Sequence, residues 1–187
     1  MHQDFVDIEK INPRILLDIR YATDNNFLGR AVYSIPKCFL RKEVAEKLDL
    51  VQKFLEKKGL GIKVYDGYRP LSVQKEFWNF LPDDRYVANP AIGSRHNRGA
   101  AVDLTLVDKQ GNELTMPTPF DDFTEKAHRT CKDLSQEELN NSLLLEKVML
   151  EFGFTSFSTE WWHFDFKGWE KFPVLDISLE EFDQCLN

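Results

Sequence analysis

Four histidines occur in the 187 residues, His2, His96, His128 and His163, and the acids and cations near them decide what an imidazole could do here. His96 and Asp103 stand seven residues apart. On one continuous strand that odd spacing sends the two side chains to opposite faces. Gly99 lies between them and permits a turn, so a loop-borne His96 and a strand-borne Asp103 can converge on one ion. A carboxylate among Val102, Leu104 and Leu106 also needs a partner if it is buried. The plain alternative is a surface histidine beside an aspartate that caps a loop.

Glu160-Trp161-Trp162-His163 is the second group. On a helix its Glu-x-x-His spacing would set both side chains on one face, as in carboxylate metal sites. However, Trp162, Phe164 and Phe166 alternate with His163, Asp165 and Lys167, which reads as a strand and leaves Glu160 in a turn ahead of it. Glu125-Lys126-Ala127-His128 repeats the spacing in a polar stretch. It can equally supply a third ligand, although a solvated helix face suits it better. Spacing alone leaves His128 and His163 as rivals.

Arg69 sits in the turn Gly67 to Pro70, at the end of a strand, where residues carried by a rigid scaffold tend to serve function. A surface salt bridge explains it as well. Ser94, His96 and Asp103 contain the residue types of a serine hydrolase triad, but no Gly-x-Ser-x-Gly elbow surrounds the serine. Two histidines, an aspartate and a free glutamate instead make the set of a zinc hydrolase. Such ligands bind Zn²⁺ at about 2.0–2.2 Å and leave a fourth position for water. The ion lowers that water's pKa from ~15.7 to about 7, and a carboxylate takes its proton as it attacks a carbonyl. An arginine can then stabilise the oxyanion.

These residues need elements to hold them. Val44, Leu48, Val51 and Leu55 form a helical stripe within Arg41 to Lys58, and Gly59 follows as a cap. Residues 62–65 alternate as a strand that runs into the Asp66-to-Pro70 turn, and Ser72 to Leu81 reads as a short helix with Val73, Phe77 and Phe80 inward. Ala100 to Val107 alternates as a strand, followed by a hairpin turn at Asp108 to Gly111. Ser135 and Glu138 form a capping box for a helix over Gln136 to Phe152, ended by Gly153. Phe154–Phe157 and Trp162–Phe166 form the arms of a closing strand pair. The first forty residues read as mostly irregular. Helices and strands in this irregular order favour an α+β fold with an antiparallel sheet.

Composition sets the frame. A length of 187 residues suggests one domain over 1–187. The chain is 42% hydrophobic with 15 Phe, 5 Tyr and 4 Trp, which is a globular composition. Its net charge of -7 argues against nucleic acid as a partner, because phosphates need a basic face. No apolar run approaches the ~18 residues of a membrane span. Met1 to Lys10 is too acidic and too broken for a signal peptide, so the expected location is cytoplasmic, or periplasmic if a leader has been removed. Cys38, Cys131 and Cys185 are widely spaced and form no disulfide framework.

Four stretches together resemble the zinc D-alanyl-D-alanine dipeptidases of peptidase family M15, the group that includes the dipeptidases of vancomycin resistance. They are Tyr21-Ala22-Thr23 with Asn26-Phe27, Asp66-Gly67-Tyr68-Arg69-Pro70, Ser94 to Asp103 in the pattern S-x-H-x-x-G-x-A-x-D, and Glu160-Trp161-Trp162-His163. The resemblance implies a central antiparallel sheet flanked by helices, as in the zinc DD-carboxypeptidases and the Hedgehog signalling domain. It implies one Zn²⁺ per chain on His96, Asp103 and His163, which decides for His163 over His128. Glu160 becomes the general base and Arg69 the stabiliser of the tetrahedral intermediate. Ser94 and the Phe120-Asp121 position are expected at the termini of the substrate, and Tyr33 near it. The implied reaction is hydrolysis of D-Ala-D-Ala to two D-alanines. Within the same fold the alternatives are a carboxypeptidase or endopeptidase acting on longer peptidoglycan stems, and a zinc-stabilised binding module without catalysis.

Overall fold

The computed structural model describes residues 4–186, so His2 lies outside the described residues. Its centre is a five-stranded sheet in the order β2 (Leu16–Leu17), β4 (Leu60–Asp66), β5 (Ala101–Asp108), β7 (His163–Phe166), β6 (Phe154–Ser156). All neighbours are antiparallel except β2, which runs parallel to β4. Two further strands, β1 (Phe5–Asp7) and β3 (Phe39–Arg41), pair antiparallel beside it. The first forty residues are mostly irregular, as expected, but carry short elements that their sequence does not display. Strands of two or three residues are too short to display a period, and the four-residue helix α1 (Ile8–Ile11) is visible only through its Asp7 cap.

The longer helices form as their patterns dictate. Helix α2 (Lys42–Glu56) buries Val44, Leu48, Val51 and Leu55 and packs on β4. Helix α4 (Gln136–Glu151) starts at the complete Ser135/Glu138 capping box and packs on β5 and β6. Their C-terminal ends meet through the rings of Phe54 and Phe152. Helix α3 (Leu71–Phe80) buries Val73 and Phe77, but Phe80, expected inward, is 60% exposed. It falls in the last turn, where it meets the Phe27 ring edge-on. Helix α5 (Leu179–Leu186) closes the chain against β1 and sets Phe182 on the rings of Phe5, Phe39 and Tyr68.

The sheet register builds the functional face. Asp66 on β4 lies opposite Asp103 on β5, and Asp103 lies opposite His163 on β7. One row across three adjacent strands thus carries two carboxylates and an imidazole. Strand alternation puts Ala101, Asp103 and Thr105 on that face and Val102, Leu104 and Leu106 on the other. All six are buried. A shift in pairing between Val64 and Asp66 lets β4 turn away into the Arg69 loop just beyond the row.

Candidate active site

His96 reaches the row from a single 3-10 turn, His96–Arg98. Gly99 ends that turn with a φ of +67°, and an added Cβ there would run into the Phe5 ring. This reversal brings a loop histidine over a strand aspartate despite their odd spacing. Glu160 stands in the bend before β7, buried, with Oε2 3.9 Å from His163 Nδ1.

His96, Asp103 and His163 form the metal-competent group found among the described residues. His96 Nε2 lies 3.2 Å from His163 Nδ1 and 3.4 Å from Asp103 Oδ2, and Asp103 Oδ1 lies 3.0 Å from His163 Nδ1. Ligands at about 2.1 Å around a tetrahedral ion stand about 3.4 Å apart, so these spacings suit such a centre. The outer hydrogen bonds point the same way. His96 Nδ1 donates to the Gly67 carbonyl at 2.7 Å, and His163 Nε2 donates to Asp165 Oδ1 at 2.9 Å. Those acceptors fix the tautomers, so in each neutral ring the lone pair faces inward. Two lone pairs and a carboxylate aimed at one point need a cation between them. Without a metal, a proton serves: burial opposes the His163 charge, but Asp165 and Asp103 hold its pKa well above the imidazole range. Burial likewise pushes Asp103 up, and His96 and His163 overcome it, keeping this carboxylate well below its ordinary range.

Arg69 is buried and held through all three of its side-chain nitrogens, with one N–H on each terminal nitrogen to spare. Nε and Nη2 donate to Asp66 Oδ2 at 3.1 and 2.8 Å, and Nη1 donates to Gln74 Oε1 at 2.8 Å. Its guanidinium lies over the Phe77 ring, with Cζ 4.4 Å from the centroid. Burial disfavours its charge, but Asp66 chiefly overrides this and raises the pKa. Nη2 stands 4.0 Å from Asp103 Oδ2, so this fixed cation borders the metal-competent group. Glu160 is pushed up to about 8, first by burial and then by the Asp103 and Asp121 charges, against the pull of His163 and Arg69.

These groups line a cavity of about 90 Å³ with walls that include Tyr21, Phe27, Phe123, Phe157 and Trp162. Ser94 and Asp121 line it too. Ser94 Oγ accepts the His96 backbone N–H, while both His96 ring nitrogens face other partners, so no serine–histidine pair forms. Asp121 accepts from Tyr21 OH at 2.9 Å and from the Phe27 N–H at 3.3 Å. It holds a φ of +62°, a left-handed conformation that Asp and Asn adopt more readily than other non-glycine residues. Burial raises its pKa to about 7.

Tyr33 departs from its expected place. It does not reach the cavity wall; its hydroxyl donates to Asp66 Oδ1 at 2.9 Å, behind Arg69. The tyrosines that line the cavity are Tyr21, in the Tyr21-to-Phe27 stretch that carries the family resemblance, and Tyr86. His128 also lies apart from the metal-competent group, its Nε2 3.2 Å from Tyr86 OH. Three supporting residues escaped sequence reasoning: Asp66, Gln74 and Asp165. The signals for Asp66 and Asp165 were positional, three residues before Arg69 and two after His163. Gln74 had none.

The sequence profile of the family described as D-Ala-D-Ala dipeptidase, peptidase M15, matches residues 1–176. The D-alanyl-D-alanine dipeptidase of Escherichia coli is 36% identical over 172 residues, covering 92% of this chain and 89% of that protein. Its counterpart in Enterococcus faecalis is 32% identical over 185 residues, covering 88% and 92%. The one from Streptomyces coelicolor is 31% identical over 188 residues, covering 89% and 93%.

Proposed function

Because the chain belongs to the D-Ala-D-Ala dipeptidase family of M15 peptidases, we propose that it hydrolyses the dipeptide D-Ala-D-Ala to two D-alanines at this cavity, as one catalytic unit. The observation that carries this reading is the convergence of His96, Asp103 and His163 with Glu160 and Arg69 on one small cavity. A purely structural ion would need neither the glutamate nor the arginine, which speaks against a non-catalytic module.

In this reading His96, Asp103 and His163 hold a zinc ion. When bound, it polarises the scissile carbonyl and lowers the pKa of water to about 7. Gly67 O and the Asp165 carboxylate keep both imidazoles turned towards it. Glu160 takes the proton from the attacking water and returns it to the leaving amine nitrogen. Arg69, immobilised by Asp66 and Gln74, donates to the oxyanion as the carbonyl becomes tetrahedral. Asp121 receives the substrate ammonium with Tyr21 as its brace, and Ser94 lies at the opposite terminus.

The Asp121 carboxylate on the cavity wall favours a dipeptide, whose free ammonium it can pair, over a longer stem, whose acylated nitrogen carries no charge. The direct test compares turnover of D-Ala-D-Ala with that of N-acetyl-D-Ala-D-Ala. The free dipeptide is expected to be strongly preferred. Preference for the acylated substrate would instead indicate a carboxypeptidase.

A further inference from the structure

The cavity holds two guanidinium groups under different constraints. Each side-chain nitrogen of Arg69 already has a protein partner. The Arg95 side chain makes no hydrogen bond among the described residues. Its Nε is enclosed without a partner, and it stands 3.7 Å from Asp165 Oδ2, an ion-pair distance too long for a hydrogen bond. Its guanidinium lies over the indole of Trp169, Cζ 4.7 Å from the ring centroid, while 37% of the side chain remains exposed. This cation–π contact holds the guanidinium in place while its terminal donors stay available.

We propose that Arg95 binds the C-terminal carboxylate of the substrate, an inference that rests on the dipeptidase reading. A zwitterionic dipeptide needs one anion and one cation in the cavity besides the groups at the scissile bond. Asp121 supplies the anion and is fixed to Tyr21 and Phe27. Arg95 is fixed to Trp169 and Asp165, a different set of supports that puts it beside both histidines: it directly precedes His96, and its neighbour Asp165 holds His163. Arg69 is bound to Asp66 and borders Asp103, which suits the oxyanion. Arg95 is the cavity cation whose two terminal nitrogens have no hydrogen-bond partner among the described residues, and such a pair of parallel N–H donors matches a carboxylate.

The test measures kcat/KM for D-Ala-D-Ala and for its C-terminal amide, in wild type and in Arg95→Met. The amide's different leaving-group basicity acts equally in both proteins and cancels in the comparison of ratios. Wild type is expected to favour the acid by about 10- to 100-fold, the range for a hydrogen bond to a charged group. Arg95→Met is expected to lower that ratio by about 10- to 100-fold relative to wild type by losing activity on the acid alone. Arg95→Gln carries the same comparison if the methionine variant fails to fold. A wild type indifferent to the amide, an unchanged ratio in the variant, or equal losses on both substrates overturns the inference. Absence of turnover on D-Ala-D-Ala would defeat the dipeptidase reading instead. The acid/amide ratio on N-acetyl-D-Ala-D-Ala would then decide the role of Arg95 by the same criteria.

Discussion

Replacing Asp121 by Asn should make the protein more stable at alkaline pH and worse at binding substrate. The wild-type carboxyl has a folded pKa of about 7 against an ordinary 3.8, chiefly because burial penalises its charge. A raised folded value means the native state holds its proton more tightly than the unfolded chain does. The resulting stability is fully present below pH 3.8 and is lost as pH rises to 7. The gap of roughly three units corresponds to about 4 kcal/mol at most, and partial exposure of the residue cuts that to about 2. Asn keeps the acceptor for Tyr21 OH but turns an amide towards the Phe27 N–H, giving back about 1 kcal/mol. It also tolerates the left-handed backbone at this position. The net gain at pH 8 is about 1 kcal/mol, or a rise of about 2–4 °C in Tm for a chain of this length. Melting curves of metal-free wild type and variant at pH 4 and pH 8 test this, because a bound cation would offset the carboxylate charge. The variant should gain at pH 8 and show no gain, or a slight loss, at pH 4. A difference that does not change with pH, or a wild type more stable at pH 8, refutes the reasoning. With zinc restored, KM for D-Ala-D-Ala should rise by about 10- to 100-fold.

Three further outcomes follow from the same geometry. Asp165→Asn removes the charged acceptor that orients His163, and should weaken metal binding by about 10- to 100-fold in a chelator competition. Tyr33→Phe severs only the bond to Asp66 behind Arg69, so steady-state kinetics should show kcat lowered by less than about tenfold at unchanged KM, the mark of a positioning role. Gly99→Ala forces a β-carbon into the Phe5 ring at a positive φ, and should lower stability by about 1–3 kcal/mol in denaturant melts.

The long elements could be read because each writes a periodic pattern. The stripe of α2, the capping box of α4 and the alternation of β5 all appear where expected. The strands β1, β2 and β3 could not be read, since two or three residues contain no full period, and the parallel pairing of β2 depends on contacts far along the chain. Among the site residues, local pattern offered His96 with Asp103 through Gly99 and Glu160 with His163 beside the tryptophan pair as candidates, but left His128 a rival that only the family resemblance set aside. Supporting residues are set by register and not by local pattern. Asp66 matters because it pairs opposite Asp103, and Gln74 because a helix carries it to Arg69. The displacement of Tyr33 has the same origin. Sequence places it near the site, but only packing determines that its hydroxyl faces Asp66 and that Tyr21 takes the cavity wall.

The central claim is that Glu160 acts on water beside a zinc ion held by His96, Asp103 and His163. The most direct measurement determines the zinc content of wild type and Glu160→Gln together with D-alanine release from D-Ala-D-Ala. The account predicts about one zinc per chain in both proteins, and turnover lower by about 10²- to 10⁴-fold in the variant. A variant that retains its zinc and still works within tenfold of wild type would contradict it, as would a wild type whose turnover survives complete removal of the metal.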